Sequence, residues 1–402
     1  MRCVVLVDDF TFLGCDTQLD FCTKMMQDQY EVKVRGRLGP DKHDDKSMTI
    51  LNRCLEWKED GIHYEADPRH AEILIKELGI QKAKPVVTPG IKLPVLSDEE
   101  NPYLPPQEAT KFRQLAARCN FISQDRPDVQ YAVKEIAKGM ANPRAQDMEK
   151  LLRLGKYLVG KPRYVIVFKR QRDVHAIYAY GDSDFAGEVD TRKSTSGGMV
   201  CLGDHTVKSW SSTQSIIALN TGEAELYAIN KCAAVALGLQ SLMNDLGVPL
   251  DIKLFTDATT GKAMATRKGL GNVRHISVNE LWIQSKVAEK IIVIIKITNK
   301  FNPADLMTKH LSKEEIRQIM DGLMHQHSEG RNADAPELSL INDTWHDNWV
   351  QTFLCTEWYR NGHAEQLKLS TSLDSEEEHA FVNVTGWSSV DGRAKAYAAY
   401  TA

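Results

Sequence analysis

Apolar and polar positions change period several times along this chain, and each change marks an element. The opening MRCVVLVDDF is apolar from Cys3 to Val7 and then meets two adjacent carboxylates, Asp8 and Asp9. Residues 1–65 read as β-rich α/β structure: a strand over Val4–Val7, a helix-like DTQLDFCTKMMQDQY, then short strands over MTILNRCLEW and GIHYEA. Asp67 and Pro68 open a helix, PRHAEILIKELG, with proline at its first position and glycine at its end. A polar, proline-punctuated connector runs from Lys84 to Pro106. Three helical runs follow, EATKFRQLAARCNFISQ, DVQYAVKEIAKGMANP and AQDMEKLLRLGKYLVG. Alternating segments take over after Arg172 and carry a second α/β unit to about Leu311. The remaining residues show no clear period and read as a weakly structured tail.

The second unit places acids at element ends. HAIYAYGD reads as a strand ending on Asp182, and GGMVCLG and TVKSWSS read as a meander behind it. NTGEAELYAINKCAAVALGLQSLMNDLG is a long helix that Asn220 can cap, with Glu223 as the reciprocal partner of a capping box. Leu226, Ile229, Ala233 and Leu237 form its buried stripe, and Glu225 lies beside that stripe, whereas Glu223 shares a face with Tyr227 and Asn230. A carboxylate on an inner face is costly unless a cation meets it. DIKLFTD ends on Asp257, and after the strand IIVIIKI comes FNPADLMTKHL, with Asp305 in the first turn after Pro303.

Clustered without counter-charge, Asp182, Glu225, Asp257 and Asp305 would raise one another's pKa values. Divalent cations remove that conflict, and all-oxygen ligation suits Mg²⁺ or Mn²⁺. Two such ions about 4 Å apart support in-line attack on a phosphodiester. Turns and caps also favour single acids at these places, so spacing alone leaves the solvated reading open. The order Asp, Glu, Asp, Asp on strand, helix, strand and helix is that of a ribonuclease H fold.

YGDSDFAGEVDTRKSTSGG, VKSWSSTQSIIALNTGEAELYA, FTDATTGKA, VRHISVNELWI and FNPADLMTKHL follow one another as in the ribonuclease H domain of copia-type retrotransposon polyproteins, which this region resembles. The DTRKSTSG and SWSS segments resemble that group and not cellular ribonucleases H. The resemblance implies that Asp182, Glu225, Asp257 and Asp305 are both the catalytic and the metal-binding acids, holding two Mg²⁺ or Mn²⁺ ions. Asp182 would bridge the ions, Glu225 and Asp257 would complete one side, and Asp305 the other. His275 matches an auxiliary position near the cleft, with a helix-capping role as the alternative. NTGEAEL, GDSDF and TDATTGKA depart from the usual side residues without touching the four acids, and Asp184 is peripheral.

Beside that neighbour, VVLVDDF resembles the polymerase motif of reverse transcriptases, with Asp8 and Asp9 at a hairpin tip. RPDVQYAVKEIAKGMANP and EKLLRLGKYLVG resemble the copia-type thumb and connection. The expected architecture is therefore α/β. Residues 1–65 would be the C-terminal part of a reverse-transcriptase palm, 66–172 a helical thumb/connection-like region, and 173–315 a ribonuclease H-like domain with a mixed five-stranded sheet and flanking helices. Residues 316–402 would be an acidic tail. Only seven residues precede Asp8, so DNA polymerisation by this chain alone is not expected, and the rest of a Pol polyprotein would have to act in trans.

Composition adds two points. Glu108–Asp173 holds 15 Lys/Arg against 7 Asp/Glu, whereas residues 330–402 hold 5 against 11, so a near-balanced total of −4 hides a basic middle and an acidic end. The basic middle suits a polyanion, and Arg170, Arg172, Arg192 and Lys193 are candidate phosphate contacts to an RNA–DNA hybrid. Eight scattered cysteines without a CxxC pair read as reduced thiols. No unbroken apolar run approaches the roughly 20 residues that span a bilayer, and no signal peptide is recognisable, so cytoplasm or nucleus is expected and no membrane partner. Two other readings share these features. A catalytically inactive, nucleic-acid-binding remnant would keep the fold without turnover, and an integrase-type core would place two aspartates before a late glutamate, unlike the order here.

Overall fold

Period-two alternation builds the first of two units in the computed structural model, which describes residues 1–338 and 380–389 save 7, 8, 173, 190 and 272. In this unit, Met1–Asp67 with Asn332–Ala402, β1 (Arg2–Leu6) and β2 (Asp9–Gly14) form an antiparallel hairpin that sets Leu6 opposite Asp9. Asp9 thus stands on a hairpin, while Asp8 lies outside the described residues. Helix α1 (Asp16–Gln29) lays Leu19, Cys22 and Met26 against Phe12. Strand β3 (Tyr30–Leu38) joins the same sheet through a strand over Ala380–Ser389, which pairs with β2 on one edge and β3 on the other.

MTILNRCLEW, expected as one strand, is two: β4 (Ser47–Ile50) and β5 (Arg53–Lys58). Leu51 and Asn52 take positive φ values of 49° and 66° and close a two-residue hairpin whose twist matches its flanking strands. Strand β6 (Gly61–Glu65) completes this antiparallel run.

Helical periodicity opens the second unit, Pro68–Arg331. Helix α2 (Arg69–Glu77) starts after Pro68 and stops before Gly79, whose φ of +66° ends it as the sequence implied. Helices α3 (Pro106–Asp125), α4 (Gln130–Ala137) and α5 (Ala145–Gly160) close around Phe112, Leu115, Val133, Ile136, Leu154 and Leu158. Beneath them lies a buried ion pair. Arg126 grips Asp128 through two hydrogen bonds of 3.1 and 2.7 Å, and Tyr157 donates to the same carboxylate at 2.9 Å. His327 Nε2 completes the shell at 3.1 Å, from beyond the expected boundary at residue 315. These partners outweigh the cost of burial and hold the Asp128 carboxyl well below the usual carboxylate range.

Strand β7 (Arg163–Phe168) is an apolar run that the period count did not flag. A mixed five-stranded sheet follows. Strands β8 (Ala176–Asp184), β9 (Thr195–Leu202) and β10 (His205–Thr213) form the expected antiparallel meander. Helix α6 (Thr221–Asp245) crosses it, and β11 (Asp251–Thr256) returns parallel to β8. Helices α7 (Thr259–Thr266) and α8 (Trp282–Ala288) lead to β12 (Ile292–Lys296), parallel to β11. The order is β10–β9–β8–β11–β12, with β8 at the centre.

By length and composition α6 could cross a membrane, although its apolar character is interspersed with polar residues and forms no unbroken run. Its Leu226, Ile229 and Ala233 belong to the core that also holds Ile177, Val200 and Leu254 of the sheet. Helix α9 (Lys313–Gly322), opened by a Ser312–Glu315 capping box, and β13 (His325–Ser328), paired with β7, extend order into the segment expected as tail. Residues 66–172 and 173–315, expected as two regions, pack against each other. Lys134 Nζ donates to Thr195 Oγ1 at 2.6 Å, and Tyr131 meets the His310 ring edge-on at 4.8 Å.

Replacing Arg126 by Met is expected to cost about 3–5 kcal/mol, because it strands a buried carboxylate. The Arg126→Met/Asp128→Leu pair should cost less than either single change. Urea unfolding of the full chain measures this, and a loss under about 1 kcal/mol for Arg126→Met would contradict the role given to the pair.

Candidate active site

The central strand and its parallel neighbour carry two acids to the same sheet end. Asp182, 3% exposed, lies near the end of β8, and Asp257 follows the last residue of β11. Glu225, 9% exposed, comes from the first turns of α6. Carboxylate oxygens of these three residues all lie within 4.8 Å of one another. Gly261 helps set this arrangement: a side chain there would begin 2.7 Å from Glu225 Cβ, so α7 can approach α6 only with glycine.

Asp305 reaches the site differently. It sits in a 3₁₀ turn, Pro303–Met307, which Asn302 anchors by donating from Nδ2 to the Gly181 carbonyl at 3.2 Å and accepting from Ala304 N at 3.2 Å. The turn rests on Gly197 of β9, where an added Cβ would stand 2.5 Å from Thr308 Cγ2 and 2.7 Å from Met307 Cβ. Thr308 Oγ1 donates to Asp182 Oδ2, and Lys309 Nζ lies 2.8 Å from Asp305 Oδ1 and 3.7 Å from Asp182 Oδ2. Asp305 therefore joins the cluster through its neighbours, outside the tight group of three.

The electrostatics carry the mark of crowding. Burial, and then the charge of Asp182, push Glu225 up to about 8 and also raise Asp257. The same two causes lift Asp305 to about 7 against the lowering effect of Lys309. Glu225 Oε2 is buried without a hydrogen-bond partner. A hard divalent cation fits this donor set: the oxygens are carboxylate, close together, and one of them lacks a partner.

Glu223 has another use. Asn220 Oδ1 accepts from Glu223 N as the expected cap, but the Glu223 carboxylate turns to Leu219 N rather than completing the box. It also accepts from Tyr227 at 2.7 Å and faces His275 Nε2 at 2.8 Å. Burial alone would raise this carboxyl, but the bonds from His275, Tyr227 and Leu219 outweigh it and hold it low. His275 is thus tied to Glu223 and not to the three clustered acids. Arg170 and Arg172 are exposed on the connection before β8, and Arg192 and Lys193 lie on the connection after it, Arg192 with φ +56°. Lys309, Thr308, Asn302 and Gly197 were not singled out from sequence. The signal for Lys309 was its place four residues after Asp305, one helical turn on.

No family model matches the chain. It is 26% identical over 315 residues to the "Retrovirus-related Pol polyprotein from transposon RE2" of Arabidopsis thaliana, covering 77% of this chain and 21% of the relative. The RE1 polyprotein of the same plant is 27% identical over 263 residues, covering 64% and 18%. The chain spans about a fifth of the length of these curated relatives. Among solved structures, the N-terminal ribonuclease H domain of Rv2228c from Mycobacterium tuberculosis aligns at 13% identity and a TM-score of 0.25, covering 37% of this chain and 97% of that one.

The raised Glu225 has a thermodynamic sign. Its folded pKa near 8 lies above the ordinary 4.5, so the native state holds the proton longer than the unfolded chain. The stabilisation is full below 4.5 and is lost as pH rises through 8. Melting of the metal-free chain between pH 5 and 9 should show this decline, and Glu225→Gln should flatten it and raise the melting temperature at pH 8. Equal slopes for the two proteins would contradict the crowding described above.

Proposed function

We propose that this chain, a homologue of copia-type retrotransposon Pol polyproteins, is a metal-dependent ribonuclease that hydrolyses the RNA strand of RNA–DNA hybrids. The observation that carries the reading is the convergence of Asp182, Glu225 and Asp257 with a buried, unpartnered Glu225 oxygen. Such a cluster is unfavourable for a fold to keep unless a cation completes it.

Asp182, Glu225, Asp257 and Asp305 would hold two Mg²⁺ or Mn²⁺ ions, with Asp182 shared between them. Bound there, such ions supply an activated water and charge stabilisation for the leaving 3′ oxygen. The chain's own part is positioning. Thr308 orients the Asp182 carboxylate through its hydroxyl. Asn302 holds the 3₁₀ turn on the Gly181 carbonyl and so fixes where Asp305 stands. Burial of Asp182 and Glu225 keeps bulk water from screening their charges. Selection of the RNA strand would rest on 2′-hydroxyl contacts across the minor groove. Arg170, Arg172, Arg192 and Lys193 are proposed phosphate contacts, consistent with their exposed or partly exposed positions beside β8.

The test is cleavage of an end-labelled RNA–DNA hybrid by the full chain, with Mg²⁺, with Mn²⁺ and with EDTA, beside Asp182→Asn. Cutting of the RNA strand alone is expected, lost in EDTA and in the variant. A folded wild-type chain that binds hybrid without cutting it in either metal would replace this reading with a binding-only remnant.

A further inference from the structure

One cation is built into the acid cluster. Lys309 Nζ stands 2.8 Å from Asp305 Oδ1 and 3.7 Å from Asp182 Oδ2, with its side chain 41% exposed. Its place is not an accident of a flexible stem. Lys309 N donates to the Asp305 carbonyl at 3.3 Å, a bond four residues apart that ties it to the end of the 3₁₀ turn that Asn302 and Gly197 seat against the sheet. The neighbouring Thr308 hydroxyl is already bonded to Asp182. An ammonium held this way neutralises part of the Asp182–Asp305 side and does nothing comparable for Glu225, whose Oε2 has no partner.

We infer that Lys309 is the resident counter-ion of the Asp182–Asp305 side, so that a divalent cation binding there must exchange with it. The inference rests on the metal-site reading above and adds an asymmetry to it. Glu225, whose Oε2 has no partner, takes the first ion together with Asp182 and Asp257. The Asp182–Asp305 side takes the second only as the ammonium swings out toward solvent, which its partial exposure permits. Lys309 is a positioning residue in this account: it acts through the carboxylates it pairs with. It holds the fourth acid in place before metal arrives, and it makes occupancy of the second site the weaker step. A point charge on a four-carbon stem suits this role, since it can leave without disturbing the turn.

The experiment counts Mn²⁺ bound to the full chain by electron paramagnetic resonance and titration calorimetry, without nucleic acid. Wild type is expected to bind one ion tightly and a second more weakly. Lys309→Met keeps the stem and removes the charge, and should tighten the weaker site on the order of 10-fold while leaving the tighter one nearly unchanged. The same variant should melt lower than wild type in EDTA and gain more from added Mg²⁺. Lys309→Arg keeps the charge and should restore weak binding at the second site. Unchanged or weaker second-site affinity in Lys309→Met, with wild type binding two ions, overturns the inference alone. A folded wild type that binds no Mn²⁺ at millimolar concentration overturns the metal-site reading and this inference with it.

Discussion

The charge of Asp182 governs the electrical state of this site. After burial it is the strongest influence raising Glu225, Asp257 and Asp305, three acids delivered by three different elements. The sheet order forces the encounter: β8 is central, β11 lies parallel beside it, and α6 crosses the same layer. Such an arrangement cannot relax by moving one side chain, because each carboxylate is carried by an element whose residues near the site are buried. What relieves it locally is a hydroxyl from Thr308 and an ammonium from Lys309, both on the short segment that also brings Asp305.

That segment depends on structure outside the sheet. His310, the residue after Lys309, packs its ring against Tyr131 of α4, and a side chain on Gly90 would begin 2.6 Å from the His310 ring. Lys134, one turn further along α4, reaches Thr195 at the start of β9. The helical region is in turn fastened around Asp128, whose partners come from α5 and from β13 near the end of the unit. The acids and the helical core share one compact unit.

Much of this was legible in the chain because the signals were local and repeated. Period-two runs marked the meander, the Leu226–Ile229–Ala233 stripe marked α6, and proline and glycine marked both ends of α2. The four acids were visible because each punctuates an element boundary. The failures have physical causes of their own. MTILNRCLEW carried no glycine to announce its turn, so the φ of Asn52 was hidden within what read as a strand. β7 was missed because a short, uniformly apolar run carries no alternation to read. His275, given an auxiliary or helix-capping position by likeness, is bonded to Glu223, a residue whose burial no pattern of spacing disclosed. Lys309 went unread for a similar reason: a lysine one turn from an aspartate is common on any helix face.

Gly197 carries a different lesson. It offers no charge, no hydrogen and no ligand, and yet the turn bearing Asp305 and Lys309 lies where its side chain would be. Of the twenty residues the code can write at that codon, nineteen would push the turn away while leaving every reactive atom of the site intact. Part of the information that specifies this acid cluster is therefore stored as an omission. A survey of functional groups would pass over it, and a lineage that lost it would keep four acids on paper and three in space.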